Sequence, residues 1–595
     1  MPVSQAEQRP PPDLAQPFVL IDDAGGDGRR PARFLDDPVA VVTADTRANI
    51  AAALDRMAAL HRAGHWLAGF IGYEAGHALE PRLSKLAERA QAMPLIWMGA
   101  FRAARMVDPI DLLQPFAARP LSVEPPAPRL DAAGYATRIA AIQALIAAGD
   151  IYQANFTFPV DIRFQGHPLT LYARLRRTQR MAHGAVVWTG REWLLSASPE
   201  LFFALRDGQL TARPMKGTAA RRPGADEDEM DAQSLALDQK NRAENLMITD
   251  LIRNDLSRVA VAGSVTVRDA FKVERYPTVH QMTTSVSARL REALGPFDAL
   301  SALFPCGSVT GAPKIRAMEV IDAVEAQPRG AYTGSIGWID PDGEASFNVA
   351  IRTVRIDRDG TASMGVGSGI VADSDAAAEW EECRQKMAFV SELGRPFHLI
   401  ETMAFDPAAG IQLLDHHFSR VERSARYHDM PFDRHEARNL LQAVVGALRI
   451  AARVKLTLGS GGAMAVAVAP MPPAPPLADV RVLPLPVGVD DRRLRHKTSD
   501  RAFYDDARRS AGCFEVLFER PDGHITEGSF TSVFVERSGR LLTPPESDGL
   551  LPGVLRQSLI DAGRAVEARL TRADLADGFL LGNAVRGLIA ARLVD

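Results

Sequence analysis

Short apolar runs and helical spacings alternate along the chain and predict a mixed α+β body. Residues 39–42 and 66–73 read as strands around a helix at 46–63. Tyr135, Ile139, Ile142 and Ile146 recur at helical spacing over 132–148, and Gly149 stops the run. Strand patterns follow at 185–188, 193–196, 201–205 and 209–213. The next helix, 244–259, places Leu246, Met247, Leu251 and Leu256 on an apolar stripe. Another, 375–393, opens on the N-cap candidate Ser374. After Gly394-Arg395-Pro396 the pattern restarts with a strand at 397–403 and a helix at 434–448. A proline cluster at 470–476 then splits the remainder into two lobes. The expected domains are therefore 17–394 and 397–595, behind a polar, proline-rich flexible arm at 1–16. A proline-rich crossing interrupts the first domain at 118–129.

Composition narrows the possibilities. A chain of 595 residues holds ample core, since domains run to roughly 100–200 residues each. The 69 Lys and Arg against 73 Asp and Glu leave a net charge of −4, so no bulk field attracts nucleic acid or anionic lipid. No apolar run approaches the ~20 residues that span a bilayer, and the first residues lack a signal peptide's basic and apolar regions. Cys306, Cys383 and Cys513 lie far apart, in no metal or redox spacing. A cytoplasmic protein without nucleic-acid or membrane partners is expected.

Four features of the first domain carry candidate chemistry. Lys216, in Pro214-Met215-Lys216-Gly217-Thr218, is an amine at a strand end that desolvation could make nucleophilic; a surface lysine in a turn fits the same residues. Glu200, in Ser198-Pro199-Glu200, is a carboxylate in an extended segment or a solvated turn. Glu244 opens one helix, and Glu379 and Glu382 stand one turn apart on another. Carboxylates from two helices suit Mg²⁺, which keeps waters and binds substrate oxygens as well, although an exposed acidic face has the same composition.

The order and flanks of these residues bring in a family. GDIYQANFT (149–157), SASPELFF (196–203), RPMKGT (213–218), RAENLMITDLIRNDLSRV (242–259) and TVHQM (278–282) resemble the chorismate-utilising enzymes. So do FPCGSVTGAPKIRAME (304–319), YTGSIGW (332–338), FNVAIRT (347–353) and GSGIVADSDAAAEWEE (367–382). This is the family of anthranilate, aminodeoxychorismate and isochorismate synthase large subunits. The resemblance spans about residues 65–393 and implies a two-subdomain α+β body around a β-sandwich-like core. Within it, lysine at position 216 matches the aminodeoxychorismate synthases, where anthranilate synthases carry alanine. Lys216 would attack ring carbon 2 covalently, ammonia would then enter at carbon 4, and amination would proceed with retention. By the same resemblance Glu200 protonates the departing hydroxyl, Glu244 and Glu382 hold Mg²⁺, and His280 lies beside the ring. Tyr332, Arg352, Gly367 and Gly369 grip the carboxylates, Arg352 through its planar fork. Met215 and Cys306 depart from the family's usual isoleucine and glycine.

The second domain pairs Lys497 with Glu527, thirty residues later. A lysine can hold a cofactor aldehyde as a Schiff base, and an acid can keep a pyridine nitrogen protonated; a pair so spaced is also ordinary. The stretches HHFSRVERSARY (416–427), LRHKTSDRAFYDDAR (494–508), HITEGSFTSVFV (524–535), LLTPPESDGLLPGVLR (541–556) and GNAVRGL (582–588) resemble the fold-type IV pyridoxal-phosphate family. That family includes branched-chain and D-amino-acid aminotransferases and aminodeoxychorismate lyases. The resemblance makes Lys497 the Schiff-base lysine, Glu527 the pyridine partner, and Arg420 and the backbone at Val554 ligands of the cofactor phosphate; Thr402 is a candidate for substrate contact. Leu555 stands where threonine is usual and Ser532 where asparagine is common, and the family's leading strand and turn are missing.

Joined, the two resemblances imply synthesis of p-aminobenzoate, a folate precursor: chorismate to 4-amino-4-deoxychorismate, then lysis to p-aminobenzoate and pyruvate. No cysteine lies in a G-x-C-x-G turn, so ammonia is expected from a separate glutamine amidotransferase subunit. A homodimer through the C-terminal domain is a further expectation. Two other readings stay open. One is an anthranilate-type synthase fused to an amino-acid aminotransferase, opposed by Lys216 and by the lack of an L-L-E-S segment in 17–45. The other is a synthase with a catalytically silent C-terminal binding module.

Overall fold

The computed structural model describes residues 14–24, 30–117, 119–179, 181–220, 225–275, 279–391, 397–428, 430–459, 461–489 and 491–594. The chain divides into two compact units, Met1–Gly394 and Arg395–Asp595. Most of the expected arm at 1–16, and the expected boundary at 394–396, lie outside the described residues.

The first unit is built on two ten-stranded antiparallel sheets. One runs from Gly311–Ala312 through Gln153–Ile162, Ala362–Ile370, Thr353–Ile356 and Trp193–Ser198 to the N-terminal strands. The other runs from Met215–Ala220 through Val279–Arg289, Gln209–Arg213 and Leu201–Arg206 to Ala40–Ala44. Alternate residues of each sheet meet in a shared core. Val19, Ala185, Val187 and Leu194 come from the first, and Phe70, Trp97, Ile336 and Trp338 from the second. This is the expected sandwich-like centre, and helices close its outer faces.

Two helices position the chemistry. Gln239–Ser257 packs on Met215–Ala220 and Val279–Arg289, and Ala376–Ser391 packs on Ala362–Ile370. The first starts five residues before the sequence pattern places it, because Asp238 accepts from Asn241 N as N-cap. Its buried face is also turned from the expected stripe. Asn245, Ile248, Thr249, Ile252, Asp255 and Leu256 are buried, while Leu246 is 51% exposed. The polar members are tied internally: Asn245 Oδ1 accepts from Thr284, and Asp255 pairs with Lys314. An apolar count alone therefore misplaces the face. On the second helix the cap is Asp375, which accepts from Ala378 N at 2.9 Å. Ser374 instead donates to Glu379 Oε1 at 2.8 Å.

The second unit holds a four-stranded sheet centred on Leu399–Asp406 and Ala452–Leu458, covered by the helix Leu414–His428. A nine-stranded sheet contains His524–Gly528 and Ser532–Arg537. These are the two expected lobes.

Candidate active site

Glu200 occupies the two-residue link between Trp193–Ser198 of one sheet and Leu201–Arg206 of the other. Ser198 fixes that link: its hydroxyl donates to Val349 O at 2.6 Å and accepts from Glu200 N at 3.2 Å. Glu200 is 4% exposed and its Oε1 has no hydrogen-bond partner among the described residues. Burial pushes its pKa up to about 7, against the opposing pull of Ser308, Lys216 and the Met215 backbone. It is neither the solvated turn nor an ordinary carboxylate.

Lys216 lies on the edge strand Met215–Ala220, whose pairing with Val279–Arg289 is irregular between Met215 and Thr218. Gly217 supplies the irregularity with φ +85°, a left-handed conformation that glycine adopts without strain. The ammonium is thereby aimed at the first sheet. A Cβ added to Gly369 would come within 3.0 Å of Lys216 Nζ and 2.3 Å of Gln153 Nε2. Burial lowers the Lys216 pKa, and Lys386 lowers it further, while Glu244, Glu200 and Glu382 oppose. The turn reading fails: the amine is enclosed by four charges from three separate elements.

Burial raises the pKa of Glu244, and Glu379 and Glu382 add to it against Lys216 and Lys240. Burial acts on Glu382 likewise, but Lys386, Lys216 and Lys240 outweigh it and hold Glu382 below the ordinary carboxylate range. Lys386 Nζ lies 2.6 Å from Glu382 Oε1 and donates to Gly367 O at 3.0 Å. Among the described residues no three His, Cys, Asp or Glu side chains form a complete metal cluster. Two or three carboxylates gathered beside a lysine still offer the hard oxygens Mg²⁺ prefers.

Ser363, Gly365, Gly367 and Gly369 share one face of Ala362–Ile370 by strand alternation. A Cβ at Gly365 would strike the Tyr332 ring at 2.0 Å. Tyr332 and Lys216 thus mark the two ends of a glycine floor with Gly367 between them. Arg352 has φ +49° and donates from Nη1 to Gln179 Oε1 at 3.3 Å. A non-glycine residue in that conformation is strained, as residues at ligand sites often are. His280 is fully buried, and its Nε2 lies 2.8 Å from Asp228 Oδ1. Its Nδ1 has no hydrogen-bond partner among the described residues.

The sequence reading missed Gln153, Ser308 and Lys386. The first two lie inside the motif stretches at 149–157 and 304–319, where their polarity beside the motif glycines is the available signal. Lys386, a helix residue seventeen positions beyond Gly369, carries none.

In the second unit Lys497 Nζ donates to Thr402 Oγ1 at 3.0 Å. Burial, helped by Arg420, pulls its pKa down to about 7. Glu527 is buried and accepts from Tyr504 Oη at 2.5 Å and Leu551 N at 3.0 Å. Burial raises its pKa to about 8. Glu401 holds Arg420 at 2.9 and 2.7 Å, and Arg420 Nη1 donates to Pro552 O at 3.2 Å. The helix Val554–Asp561 begins there at Gly553 without a side-chain cap, leaving N–H groups for an anion. A Cβ on Gly553 would lie 2.5 Å from Ser532 Oγ, so that hydroxyl borders the helix start. Leu555 turns instead into the apolar cluster of Phe534 and Leu559. An amine near neutrality, a buried acid, an arginine and an uncapped helix start are a donor set that fits pyridoxal phosphate.

Residues 16–392 match the model of the chorismate binding enzymes, and the chain belongs to that family. Residues 398–594 match the model of class IV amino-transferases. Over 253 residues the chain is 42% identical to aminodeoxychorismate synthase component 1 of Salmonella typhimurium, covering 42% of this chain and 56% of that protein. It is 40% identical to anthranilate synthase component 1 of Haloferax volcanii over 250 residues, 42% of this chain and 48% of the other. The chain spans about half the length of the curated relatives it matches. The crystal structure of anthranilate synthase component I from Streptococcus pneumoniae superposes with TM-score 0.52 at 23% identity. It covers 66% of this chain and 95% of that one, and it shares the fold. Among the described residues no helix is long and apolar enough to cross a membrane.

Proposed function

We propose that the chain makes p-aminobenzoate from chorismate in two steps, one in each unit. The observation that carries the reading is the enclosure of the Lys216 amine with Glu200, Glu244 and Glu382 against Gly369. In the first step burial favours the neutral form of Lys216, whose lone pair attacks ring carbon 2 as the bond from carbon 4 to its hydroxyl breaks. Glu200, protonated up to about pH 7, donates the proton that turns that hydroxyl into water. Ammonia then bonds to carbon 4, the bond to Lys216 breaks, and a proton is lost to solvent. Glu244 and Glu382 would hold Mg²⁺, which offsets the ring carboxylate's charge. Arg352, Tyr332 and the glycine floor orient the dianion, and His280 borders the ring.

In the second step the product amine enters the C-terminal site. Pyridoxal phosphate, bound there, supplies an electron sink for bond breaking beside the amine. Lys497 takes the proton from ring carbon 4, while Glu527 holds a proton at the pyridine nitrogen. Arg420, Ser532 and the start of the helix Val554–Asp561 would hold the cofactor's phosphate. The bond from ring carbon 3 to the side-chain oxygen then breaks, the ring becomes aromatic, and the departing enolpyruvate takes up a proton to become pyruvate.

Ammonia comes from a separate glutaminase in this reading, as the "component 1" in the relatives' names suggests. The cysteines support that source. Burial pushes Cys306 up to about 12 and Cys383 up to about 11, and Cys513 Sγ donates to Glu515 O at 2.9 Å. Neither buried thiol is a thiolate nucleophile. The test is product analysis from chorismate and Mg²⁺ with either ammonium or glutamine. Ammonium alone should support turnover; product from glutamine alone would refute the separate glutaminase.

A further inference from the structure

The cavity at Lys497, about 280 Å³, is more cationic than its cofactor needs. Among the described residues Arg420, Arg453, Arg493, Arg501, Arg508 and Arg586 line it with Lys497, against two carboxylates, Asp505 and Glu527. Four of these arginines already have a protein partner, Arg586 only through Nε, which donates to Pro473 O at 3.2 Å and leaves its other nitrogens for a ligand. Arg420 is held bidentately by Glu401, Arg493 is held by Asp491 at 2.6 Å, and Arg501 donates to Ser529 O. Arg453, Arg508 and Arg586 line the same cavity. The Arg508 and Arg586 guanidinia lie 4.9 and 5.2 Å from the centroid of one ring, Phe530. Burial lowers the pKa of Arg586, and Arg453 and Arg508 lower it further.

Neutralisation by the described residues is slight. Asp505 is 3.9 Å from Arg508. Glu515, the acid acting on Arg586, already accepts from Ser529, Phe530 and Thr531. Arg453 extends from the face of Ala452–Leu458 opposite buried Val454 and Leu456, beside Ala404 and near Thr402. The charges that act most on Lys497 are Arg420, Glu401, Arg501 and Lys455, so the trio serves another part of the cavity. Like charges held this close are relieved by an anion. A substrate with one carboxylate would leave most of that repulsion in place.

We propose that Arg453, Arg508 and Arg586 anchor both carboxylates of the substrate amine, making the C-terminal site selective for dicarboxylate amines over ordinary amino acids. The proposal rests on the lyase reading and names what that site recognises. Phe530, the ring both Arg508 and Arg586 approach, lies three residues after Glu527.

The test uses the full-length holoenzyme, wild type, R508Q/R586Q and the conservative R586K. Calorimetry measures binding of 5-aminoisophthalate, with two carboxylates, and of 3-aminobenzoate, with one. Wild type should prefer the dicarboxylate by about tenfold or more, and R508Q/R586Q should reduce that to within about twofold. R586K should keep an intermediate preference. In lysis of 4-amino-4-deoxychorismate, R508Q/R586Q should raise KM about tenfold and leave kcat within about threefold. The cofactor's absorption band and thermal unfolding checked on each variant separate a lost anchor from a lost fold, and R453Q, on an exposed strand face, repeats the test should R508Q/R586Q unfold. Equal affinity of wild type for the two probes, or an unchanged preference in folded R508Q/R586Q, overturns the anchor. Absence of p-aminobenzoate with the preference intact would instead refute the lyase reading and leave the anchor standing.

Discussion

Glu200 and Lys216 are an acid and a base driven toward each other's usual range by the same cause, loss of water. A pair of this kind makes the pH dependence of the first step specific. Glu200 keeps its proton to about pH 7, so the rate per free ammonia should fall above that pH. In E200Q it should be lower by roughly 10²–10⁴-fold, and the fall above pH 7 should vanish. The same shift has a stability consequence of defined sign. A folded-state pKa near 7, above the ordinary 4.5, leaves no charge penalty below pH 4.5, and stability is lost as pH rises toward and through 7. E200Q should therefore unfold at a higher temperature than wild type at pH 8, with a gain up to about 3 kcal/mol. At pH 4.5 the two should unfold together. Melting curves at the two pH values check both signs. These residues were legible in the sequence because each sits in a distinctive short stretch. Gln153, Ser308 and Lys386 were not, because contacts across the fold define their roles. Lys386 reaches the site only because its helix packs on the glycine strand.

The elements that carry the site are a bulged edge strand and a glycine-rich strand facing each other across a sandwich. Gly217 bends the first, and Gly369 leaves room for the lysine it aims. Adding one methyl at Gly369 tests this placement. G369A should displace Gln153 and Lys216 and slow chorismate turnover by about a hundredfold, with melting little changed. Full activity in G369A would show that Lys216 does not work from this position. The strands were readable from alternation and turn residues. The helix Gln239–Ser257 was located, but its buried face was not. Asn245 and Asp255 are buried because they have partners on neighbouring elements, and Thr249 because its hydroxyl donates to Asn245 O within the helix; hydropathy cannot register a partnered polar group.

At the scale of the molecule, a net charge of −4 accompanies two proposed sites for anionic ligands. Binding therefore depends on a few placed cations rather than a global field. The two-unit organisation was legible because the strand and helix pattern restarts near residue 397. The cation excess around Lys497 was not, since its arginines are spread from 420 to 586 in sequence. Each unit's contribution can be removed separately. K497A should lose the cofactor's absorption band and accumulate 4-amino-4-deoxychorismate, while chorismate consumption continues. A K497A protein that still released p-aminobenzoate would assign the lysis elsewhere. The most direct measurement of the central claim is mass spectrometry of the products that the full chain forms from chorismate, Mg²⁺, ammonium and pyridoxal phosphate. The account predicts p-aminobenzoate and pyruvate in equal amounts, and neither in K216A; anthranilate as the product would contradict it.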